Sequence, residues 1–339
     1  MSKDNLIAIA FSDLHCYKFN LFNKDNSRLN WTLTAFECIA RTAARHKVPL
    51  LFCGDLFHTP ASVENETLGL MINSYMLHVE QTHTPFFAIS GNHDLCQKNS
   101  LDHKSPSYLD IFFEVFTTFK FLDPGLPFPI SQGFKIVAWV WGIPYMNNDA
   151  DIKKKVKQLK KDVKEDKYKG AKKILMLHTD CPGALNDEDI EVGECESMPS
   201  GKKHLAKFFE DWDLVLFGHI HKPQQLFKHG YMLGSPIHQV SNDKAEMGYW
   251  KIFNDRAPQF IGLANIFPRF RKLVPGEVPD NEKDYFIMPD DQGLVEEVEK
   301  GDFDLSHSRT KLAKRYMKVK GIKDKKKKAA LINILNQVE

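Results

Sequence analysis

Five short apolar runs, each ending in polar side chains that can bind a metal ion, constrain the fold of this chain most. The runs are IAIAFSDLH, PLLFCGDLFH, PFFAISGNHD, ILMLHTD and DLVLFGHIH. Apolar runs of this length bounded by turn residues are typical of buried strands. Residues 29–45 and 63–79 carry apolar residues at helical spacing and separate the first three runs. The alternation predicts an α/β layered core whose polar residues gather at the carboxyl ends of the strands.

The pattern beyond these runs predicts more strands and one further helix. Strands are expected at residues 134–141, 231–233 and 248–253, with Gly and Pro marking the turns between them. Together they indicate a second, more antiparallel sheet. The lysine-rich stretch 153–173 has apolar residues at helical spacing, at Ile152, Val156, Leu159 and Val163. This favours a solvated amphipathic helix over a DNA-facing surface.

Length and composition exclude several classes of protein. A chain of 339 residues with 42% hydrophobic content can build one large domain with an appendage, or two domains. Its uncharged apolar runs are far shorter than the ~20 residues that cross a bilayer, and residues 1–5 lack the order of a secretory signal. The six cysteines form no CxxC pair and are interpreted as thiols. We therefore expect a cytoplasmic protein with no membrane partner.

The composition changes after Asp255, which predicts three parts: residues 1–255, a small appended module at 256–305 and a basic helical tail at 306–339. Residues 276–304 hold eleven acidic residues against two lysines, whereas residues 309–328 hold eleven basic residues against one aspartate. Two apolar stripes run along the tail, and helices this short must bury them against this protein or another. The stripe residues are Leu312, Tyr316 and Val319 on the first helix and Leu331, Ile334, Leu335 and Val338 on the second.

The polar residues at the strand ends form an ordered series of Asp-x-His, Gly-Asp, Gly-Asn-His-Asp, His and Gly-His-x-His. A lone histidine at a strand end is usually structural, but five of the fourteen histidines fall into this one pattern. Carboxylate, amide and imidazole ligands without cysteine suit Mn²⁺, Fe²⁺ or Zn²⁺ and disfavour a structural thiolate zinc site. Two such ions, ~3.5 to 4 Å apart, are a known device for hydrolysing phosphate esters.

These motifs resemble those of the calcineurin-like metallophosphoesterases. The longer strings Gly54-Asp55-Leu56-Phe57-His58 and Gly234-Ser235-Pro236 are similar to those of the SbcD family, the nuclease subunits of a DNA double-strand-break processing complex. The resemblance covers about residues 6–253. It implies a four-layer α/β/β/α sandwich, followed by a small C-terminal cap that recognises DNA and by the helical tail.

The resemblance also implies a role for each site residue. Its metal ligands form two sets that share one aspartate: Asp13, His15, Asp55 and His221 for one ion, and Asp55, Asn92, His178 and His219 for the other. His93 would donate a proton to the leaving oxygen, Asp94 would orient the His93 ring, and His58 would lie near the scissile phosphate. For His58, a purely local role at a helix start beside Thr59 and Pro60 stays open.

The implied activity is that of a nuclease using two Mn²⁺ ions, or Mg²⁺ or another divalent ion, with 3′ to 5′ exonuclease and single-strand endonuclease activity. The implied partners are DNA, an SMC-like ATPase bound by the tail, and a second copy, contacted through residues 63–79 and 108–119, in a heterotetramer. A bacterial or phage-infected cell is the expected setting. A phosphodiesterase or phosphoprotein phosphatase acting on a non-DNA substrate is the alternative. A non-catalytic scaffold is disfavoured, because every ligand position is filled.

Overall fold

The computed structural model describes residues 5–19, 27–59, 62–96, 106–122, 126–193, 195–239, 243–263, 266–272 and 285–287. The chain divides into two compact units, Met1–Arg269 and Phe270–Glu339. The predicted tail, including Leu312, Tyr316, Leu331, Ile334, Leu335 and Val338, lies outside the described residues, as does most of the acidic module. The boundaries expected at residues 255 and 305 therefore stay predictions.

The described residues form fourteen strands, five α-helices and two shorter helical turns. The strands are β1 (Leu6–Phe11), β2 (Leu50–Phe52), β3 (Phe86–Ala88), β4 (Phe119–Phe121), β5 (Phe128–Gln132), β6 (Lys135–Ile143), β7 (Lys172–His178), β8 (Leu214–Gly218), β9 (Gln224–Phe227), β10 (Gly230–Met232), β11 (Gly248–Phe253), β12 (Gln259–Gly262), β13 (Phe270–Lys272) and β14 (Tyr285–Ile287). The α-helices are α1 (Ser27–His46), α2 (Asn65–Tyr75), α3 (Leu109–Val115), α4 (Asp149–Asp162) and α5 (Lys202–Phe208). A π-helical turn, Met76–Glu80, continues α2, and a 3₁₀ turn, Asp166–Tyr168, follows α4.

Two six-stranded sheets form the first unit. The first sheet has the order β12-β11-β1-β2-β3-β4, with β1 to β4 parallel and β11 and β12 antiparallel to their neighbours. The second has the order β5-β6-β7-β8-β10-β9, with β6, β7, β8 and β10 parallel and β5 and β9 antiparallel at its edges. In the second unit, β13 pairs with β14 in parallel.

Three apolar clusters separate the layers of the first unit. One lies between the inner faces of the two sheets and includes Ile7 and Ile174. A second joins the outer face of the first sheet to α1, α2 and α3, and a third joins the outer face of the second sheet to α4 and α5. From Ala8 onward β1 follows the two-residue period of a strand, with Ala8 and Ala10 facing inward and Ile9 and Phe11 facing the helices. The predicted four-layer α/β/β/α arrangement is confirmed.

Two details of the predicted fold are wrong. The second sheet is mainly parallel, and residues 248–253 form β11 in the first sheet, because they pair with β1 along the chain's first strand. The helix expected over 153–173 ends at Asp162, and Lys172 already begins β7. Gly170, after the 3₁₀ turn and two residues before β7, adopts a φ of 80°, a left-handed conformation that glycine tolerates.

All six cysteines are free thiols, as predicted. Within the described parts of the chain, no helix combines the length and apolar character needed to span a membrane.

Candidate metal centre

The predicted site residues follow the carboxyl ends of five strands, three in the first sheet and two in the second. In chain order they are Asp13 and His15 after β1, Asp55 after β2, Asn92, His93 and Asp94 after β3, His178 at the end of β7, and His219 and His221 after β8. Parallel strands deliver the residues that follow them to a single edge of their sheet. The two sheets bring these edges together, since ring atoms of His15 and His221 lie 3.1 Å apart.

The backbone at the site adopts a conformation that side chains disfavour. Asp13, His15 and Asp55 have φ values of 52°, 48° and 62°, and His219 has a φ of 104°. They are four of the seven non-glycine residues with positive φ among those the structure describes. Such positions cost about 1–3 kcal/mol each and persist where the surroundings fix them, commonly at functional sites.

Asp55 lies at the centre of the cluster. Its Oδ2 is 3.7 Å from Nε2 of His15 and 3.3 Å from Nε2 of His178, so one carboxylate oxygen faces a histidine of each predicted ligand set. Its Oδ1 accepts a hydrogen bond from the backbone N–H of His93 at 2.8 Å. The carboxylate is therefore held between the two halves of the site.

Around Asp55 the ligand atoms form two groups. Asp13, His15 and His221 contribute one, and Asp55, His178 and His219 contribute the other; in each group the ligand atoms lie within 4.8 Å of one another. The remaining predicted ligand, Asn92, belongs with the second group. Its side-chain oxygen is 3.1 Å from Nε2 of His178 and 3.0 Å from Nδ1 of His219. All seven predicted ligands are thus brought together in the two predicted sets.

A hydrogen bond on the far side of the His178 ring, and a longer contact with a carboxylate on the far side of the His219 ring, determine which nitrogen faces the cluster. Nδ1 of His178 lies 2.6 Å from the carbonyl oxygen of Cys53 and donates to it, which leaves Nε2 facing Asp55. Nε2 of His219 lies 3.6 Å from a carboxylate oxygen of Asp180, which leaves Nδ1 facing the second group. A metal-binding histidine commonly has its other nitrogen held by a carbonyl or a carboxylate in this way.

The pKa values of Asp55 and His178 depend on each other's charge. Burial raises the pKa of the Asp55 carboxyl, but His178, His15 and His93 together outweigh burial and hold that pKa well below its usual range. Burial lowers the pKa of His178, but the charge of Asp55 and its hydrogen bond reverse this and raise the pKa to about 9. Without metal, Asp55 and His178 therefore form a buried ion pair. Burial also raises the pKa of Asp13 and lowers that of His219 to about 4.

Asp94 has a different role from the one expected. Both oxygens of its buried carboxylate accept hydrogen bonds from backbone N–H groups, those of Asp55, Leu56 and Gly91 at 2.8 to 2.9 Å. The prediction that Asp94 orients the ring of His93 is wrong, because this carboxylate instead fixes the backbone that carries Asp55. Burial, followed by the charge of Asp55, raises the pKa of Asp94 to about 7.

The His93 ring is held by the main chain of His58. Its Nδ1 donates to the His58 carbonyl oxygen, and the two rings stack with 5.6 Å between centroids and 19° between planes. Nδ1 of His58 lies 3.3 Å from Nδ1 of His15. Burial, and then the charge of His93, lowers the pKa of His58 to about 4. His58 therefore belongs to the cluster and is not only a residue at a helix start.

Glycines allow the strand ends to approach each other. A Cβ on Gly91 would lie 2.1 Å from Oδ1 of Asp55, and a Cβ on Gly218 would lie 2.2 Å from the hydroxyl of Ser12. At Gly54, which has a φ of 97°, a Cβ would lie 2.5 Å from Nδ1 of His178. The Gly-Asp, Gly-Asn-His-Asp and Gly-His-x-His motifs thus supply close approach as well as ligands.

Four side chains at the rim were missed by sequence reasoning. Asp180 lies beside His219, and the ring of Tyr145 lies 6.2 Å from the rings of both His178 and His219. Tyr17 and Phe19 lie 5.2 and 5.0 Å from the ring of His58, on the other side of the cluster. Only Asp180 had a local signal, its position two residues after His178, which repeats the spacing of Asp13 and His15.

The donor atoms fit two divalent cations. Each group contains one aspartate and two imidazoles, and the amide oxygen of Asn92 adds a neutral oxygen to the second. The buried carboxylates of Asp13 and Asp55 favour binding of positive charge. Mixed oxygen and nitrogen donors suit Mn²⁺, Fe²⁺ or Zn²⁺.

A match to the sequence model of a protein family supports the assignment of a metal centre. The sequence model of the calcineurin-like phosphoesterase family matches residues 8–223, which is more than half of the chain and spans every predicted ligand. The chain belongs to the calcineurin-like phosphoesterase family. A dimetal site is expected in this family, and this phosphoesterase has two His/Asp groups that could form it. No curated protein matches the sequence.

Solved structures similar to this phosphoesterase share little sequence with it. A dimetal phosphatase from Danio rerio has a TM-score of 0.46 at 8% identity, covering 74% of this chain and 93% of that one. The phosphopantetheinyl hydrolase PptH from Mycobacterium tuberculosis has a TM-score of 0.38 at 13% identity, with coverage of 68% and 90%. A hypothetical protein from Thermus thermophilus has a TM-score of 0.36 at 12% identity, with coverage of 67% and 76%.

Proposed function

We propose that this phosphoesterase is a two-metal, Mn²⁺-dependent DNA nuclease of the SbcD type. Its activities would be 3′ to 5′ exonuclease on duplex DNA and endonuclease on single strands, in the cytoplasm of a bacterial or phage-infected cell. The observation that carries the proposal is the position of His58, which contacts both His15 and His93 at the metal centre. His58 ends the string GDLFH, which is the SbcD-like feature of the motif series.

In this proposal the two metal ions are held by the two groups around Asp55. Asp13, His15 and His221 hold one, and His178, His219 and Asn92 hold the other. When bound, two divalent ions supply Lewis acidity, which activates water and neutralises charge on the phosphoryl oxygens. Mn²⁺ is the ion proposed here, which the mixed oxygen and nitrogen donors accommodate, with Mg²⁺ as a second choice.

His93 moves the proton. Because its Nδ1 donates to the His58 carbonyl oxygen, the ring is fixed with Nε2 as the nitrogen that can carry and release a proton. Protonation of the sugar oxygen that leaves, from Nε2, allows the phosphodiester bond to break without expelling an alkoxide. The stacked ring of His58 and the backbone held by Asp94 keep His93 in place during this transfer.

The tail supplies the partner contact in this proposal. The stripe of Leu331, Ile334, Leu335 and Val338, with Leu312 and Tyr316 before it, would bind the coiled-coil root of an SMC-like ATPase. Deleting residues 306–339 should abolish co-purification of the ATPase while sparing Mn²⁺-dependent hydrolysis of a small phosphodiester. Retention of the ATPase by the shortened chain would refute this assignment.

Dimer formation is proposed through residues 63–79 and 108–119. Both segments expose large apolar side chains, with Leu77 at 53%, Phe113 at 52% and Val115 at 59% exposure. The two segments pack against each other through Tyr75 and Phe112, whose rings lie 5.3 Å apart. Light scattering of the isolated chain should give the mass of a dimer, and Phe113→Asp should give a monomer. A monomeric wild-type chain would contradict the proposal.

The nuclease proposal is tested on end-labelled duplex and single-stranded DNA with Mn²⁺, Mg²⁺ or EDTA. Cleavage should require a divalent ion. His93→Ala should abolish it while retaining bound metal, and Asp55→Ala should lose the metal itself. His46→Ala is the matched control, because this histidine is exposed at the end of α1, and its activity should equal that of the wild type.

Bis-p-nitrophenyl phosphate separates the nuclease from the alternative. Hydrolysis of this small ester without DNA degradation, both alone and with the ATPase partner added, would refute the DNA substrate. It would favour a phosphodiesterase or phosphoprotein phosphatase instead. DNA cleavage by His93→Ala at the wild-type rate would refute the role given to His93.

A further inference from the structure

A third group of possible ligands at the site contains imidazoles alone. One ring nitrogen from each of His15, His58 and His93 lies within 4.8 Å of the others. The ring centroids are 5.2 Å apart for His15 and His58 and 4.9 Å apart for His15 and His93. Unlike the two groups around Asp55, this imidazole trio includes no carboxylate.

The spacing inside the imidazole trio is that of two ligands on one small ion. Nδ1 of His15 and Nδ1 of His58 are 3.3 Å apart. Two nitrogens bound to a tetrahedral zinc ion at about 2.0–2.1 Å are separated by about 3.3 Å. The two rings therefore need little rearrangement to bind a single Zn²⁺.

The other nitrogens of the trio allow this arrangement. Nδ1 of His93 is engaged by the His58 carbonyl oxygen, so Nε2 is the nitrogen that can bind an ion. Nε2 of His15 faces His221 and Asp55, while its Nδ1 faces His58. Because a neutral imidazole has one free lone pair, His15 can bind an ion of the Asp13 group through Nε2 and the third ion through Nδ1 only as an imidazolate, and its ring proton passes to solvent when the third ion binds.

The donor chemistry determines which cation would bind there. Mn²⁺ and Mg²⁺ prefer oxygen ligands and rank low in affinity for nitrogen sites, whereas Zn²⁺, Ni²⁺ and Cu²⁺ bind imidazole well. The trio therefore distinguishes Zn²⁺ from the ions proposed for the two aspartate groups.

We propose that His15, His58 and His93 form a third cation site, selective for Zn²⁺ over Mn²⁺. Zn²⁺ there occupies Nε2 of His93 and prevents that ring from carrying a proton. The inhibitory consequence rests on the proposed function, but binding at the site does not. The fourth position of the zinc ion is left to water, since the trio supplies three ligands.

The test counts ions bound to the full chain after equilibration with Zn²⁺ or Mn²⁺ and gel filtration, by elemental analysis. The wild type should retain three Zn²⁺ but two Mn²⁺. His58→Gln should retain two of either ion, and His46→Gln, an exposed histidine outside the cluster, should match the wild type. Thermal unfolding establishes that the variants are folded, and the wild-type count decides the question if His58→Gln is not.

Two results would overturn the site: a wild type that retains only two Zn²⁺, or a folded His58→Gln that retains as many Zn²⁺ as the wild type. Added to the Mn²⁺-loaded wild type, Zn²⁺ should lower hydrolysis of bis-p-nitrophenyl phosphate at least tenfold. Full activity with the third Zn²⁺ bound would overturn the inhibitory role. If the wild type retains three Zn²⁺ but its Mn²⁺-loaded, zinc-free form cleaves no DNA, alone or with the ATPase partner, the nuclease is refuted and the site stands, so the two failures are distinguishable.

Discussion

Gly91→Ala should disable the metal centre through a single methyl group. The added Cβ would lie 2.1 Å from Oδ1 of Asp55 and 2.6 Å from the Asp55 backbone nitrogen. Ordinary contact begins near 3.4 Å, so the carboxylate oxygen has to retreat by more than ~1 Å. Rotating the Asp55 side chain does not relieve the clash with the backbone nitrogen, and the whole turn has to move.

The expected magnitude follows from what this movement breaks. The hydrogen bond from the His93 N–H to Oδ1 of Asp55, 2.8 Å long, has a charged acceptor, and such bonds contribute about 1.5–3 kcal/mol. Overpacking of a buried position costs a similar ~1–3 kcal/mol. We therefore expect the free energy of unfolding to fall by about 1–3 kcal/mol. Mn²⁺ affinity should fall at least tenfold, which corresponds to about 1.4 kcal/mol.

Gly69→Ala is the matched control. Gly69 lies inside α2, and a Cβ there meets nothing within 4 Å. Because alanine favours a helix interior over glycine, this variant should gain up to about 1 kcal/mol of stability and bind Mn²⁺ as the wild type does. Denaturant unfolding and Mn²⁺ titration followed by electron paramagnetic resonance measure both quantities. Wild-type Mn²⁺ affinity in Gly91→Ala would refute the steric argument.

Three further predictions concern Asp180, which lies beside the ligand His219, and the ligand His178. Asp180→Ala should lower Mn²⁺ affinity about 10- to 100-fold by releasing Nε2 of His219, while Asp180→Glu should restore part of it; equal affinity in all three chains would contradict a positioning role. Burial lowers the pKa of His178, but the charge and hydrogen bond of Asp55, with Asp13 and the Cys53 carbonyl, raise it to about 9. Mn²⁺ binding should therefore release a proton below pH ~9, measured calorimetrically in buffers of different ionisation enthalpy. In EDTA, the stability from this ion pair should be complete below pH ~6.5 and lost as the pH rises through ~9, and a flat thermal-unfolding profile over that range would exclude it.

The strand-end ligands were predictable because their signal is local. Each short apolar run buries a strand, and the residues directly after it have to emerge at the same edge of the sheet. Asp13, Asp55 and His178 therefore came together as expected. The layered arrangement followed for the same reason, since helices alternate with the first strands.

The features that sequence reasoning missed depend on pairing and on backbone groups. Sequence periodicity does not determine which strand β11 joins, and its pairing with β1 moved it from the expected sheet. The partners of Asp94 are main-chain N–H groups, which leave no residue pattern to detect. Tyr17 lies two residues after His15, and Tyr145 lies two residues after β6, but both are aromatic and not typical metal ligands, so the ligand pattern did not identify them.

The left-handed φ values at Asp13, His15 and Asp55 lower the stability of the fold at residues that metal binding requires. The backbone strain of a residue held at such a φ lowers the free energy of unfolding by about 1–3 kcal/mol relative to glycine at the same position. At Asp55 the hydrogen bond from His93 and the ion pair with His178 offset this strain, but at His15 selection of this protein for heat resistance alone would favour glycine over a metal ligand. Variants gained in that way would survive higher temperatures and bind no metal, so a thermostability screen of this chain needs an activity filter from its first round.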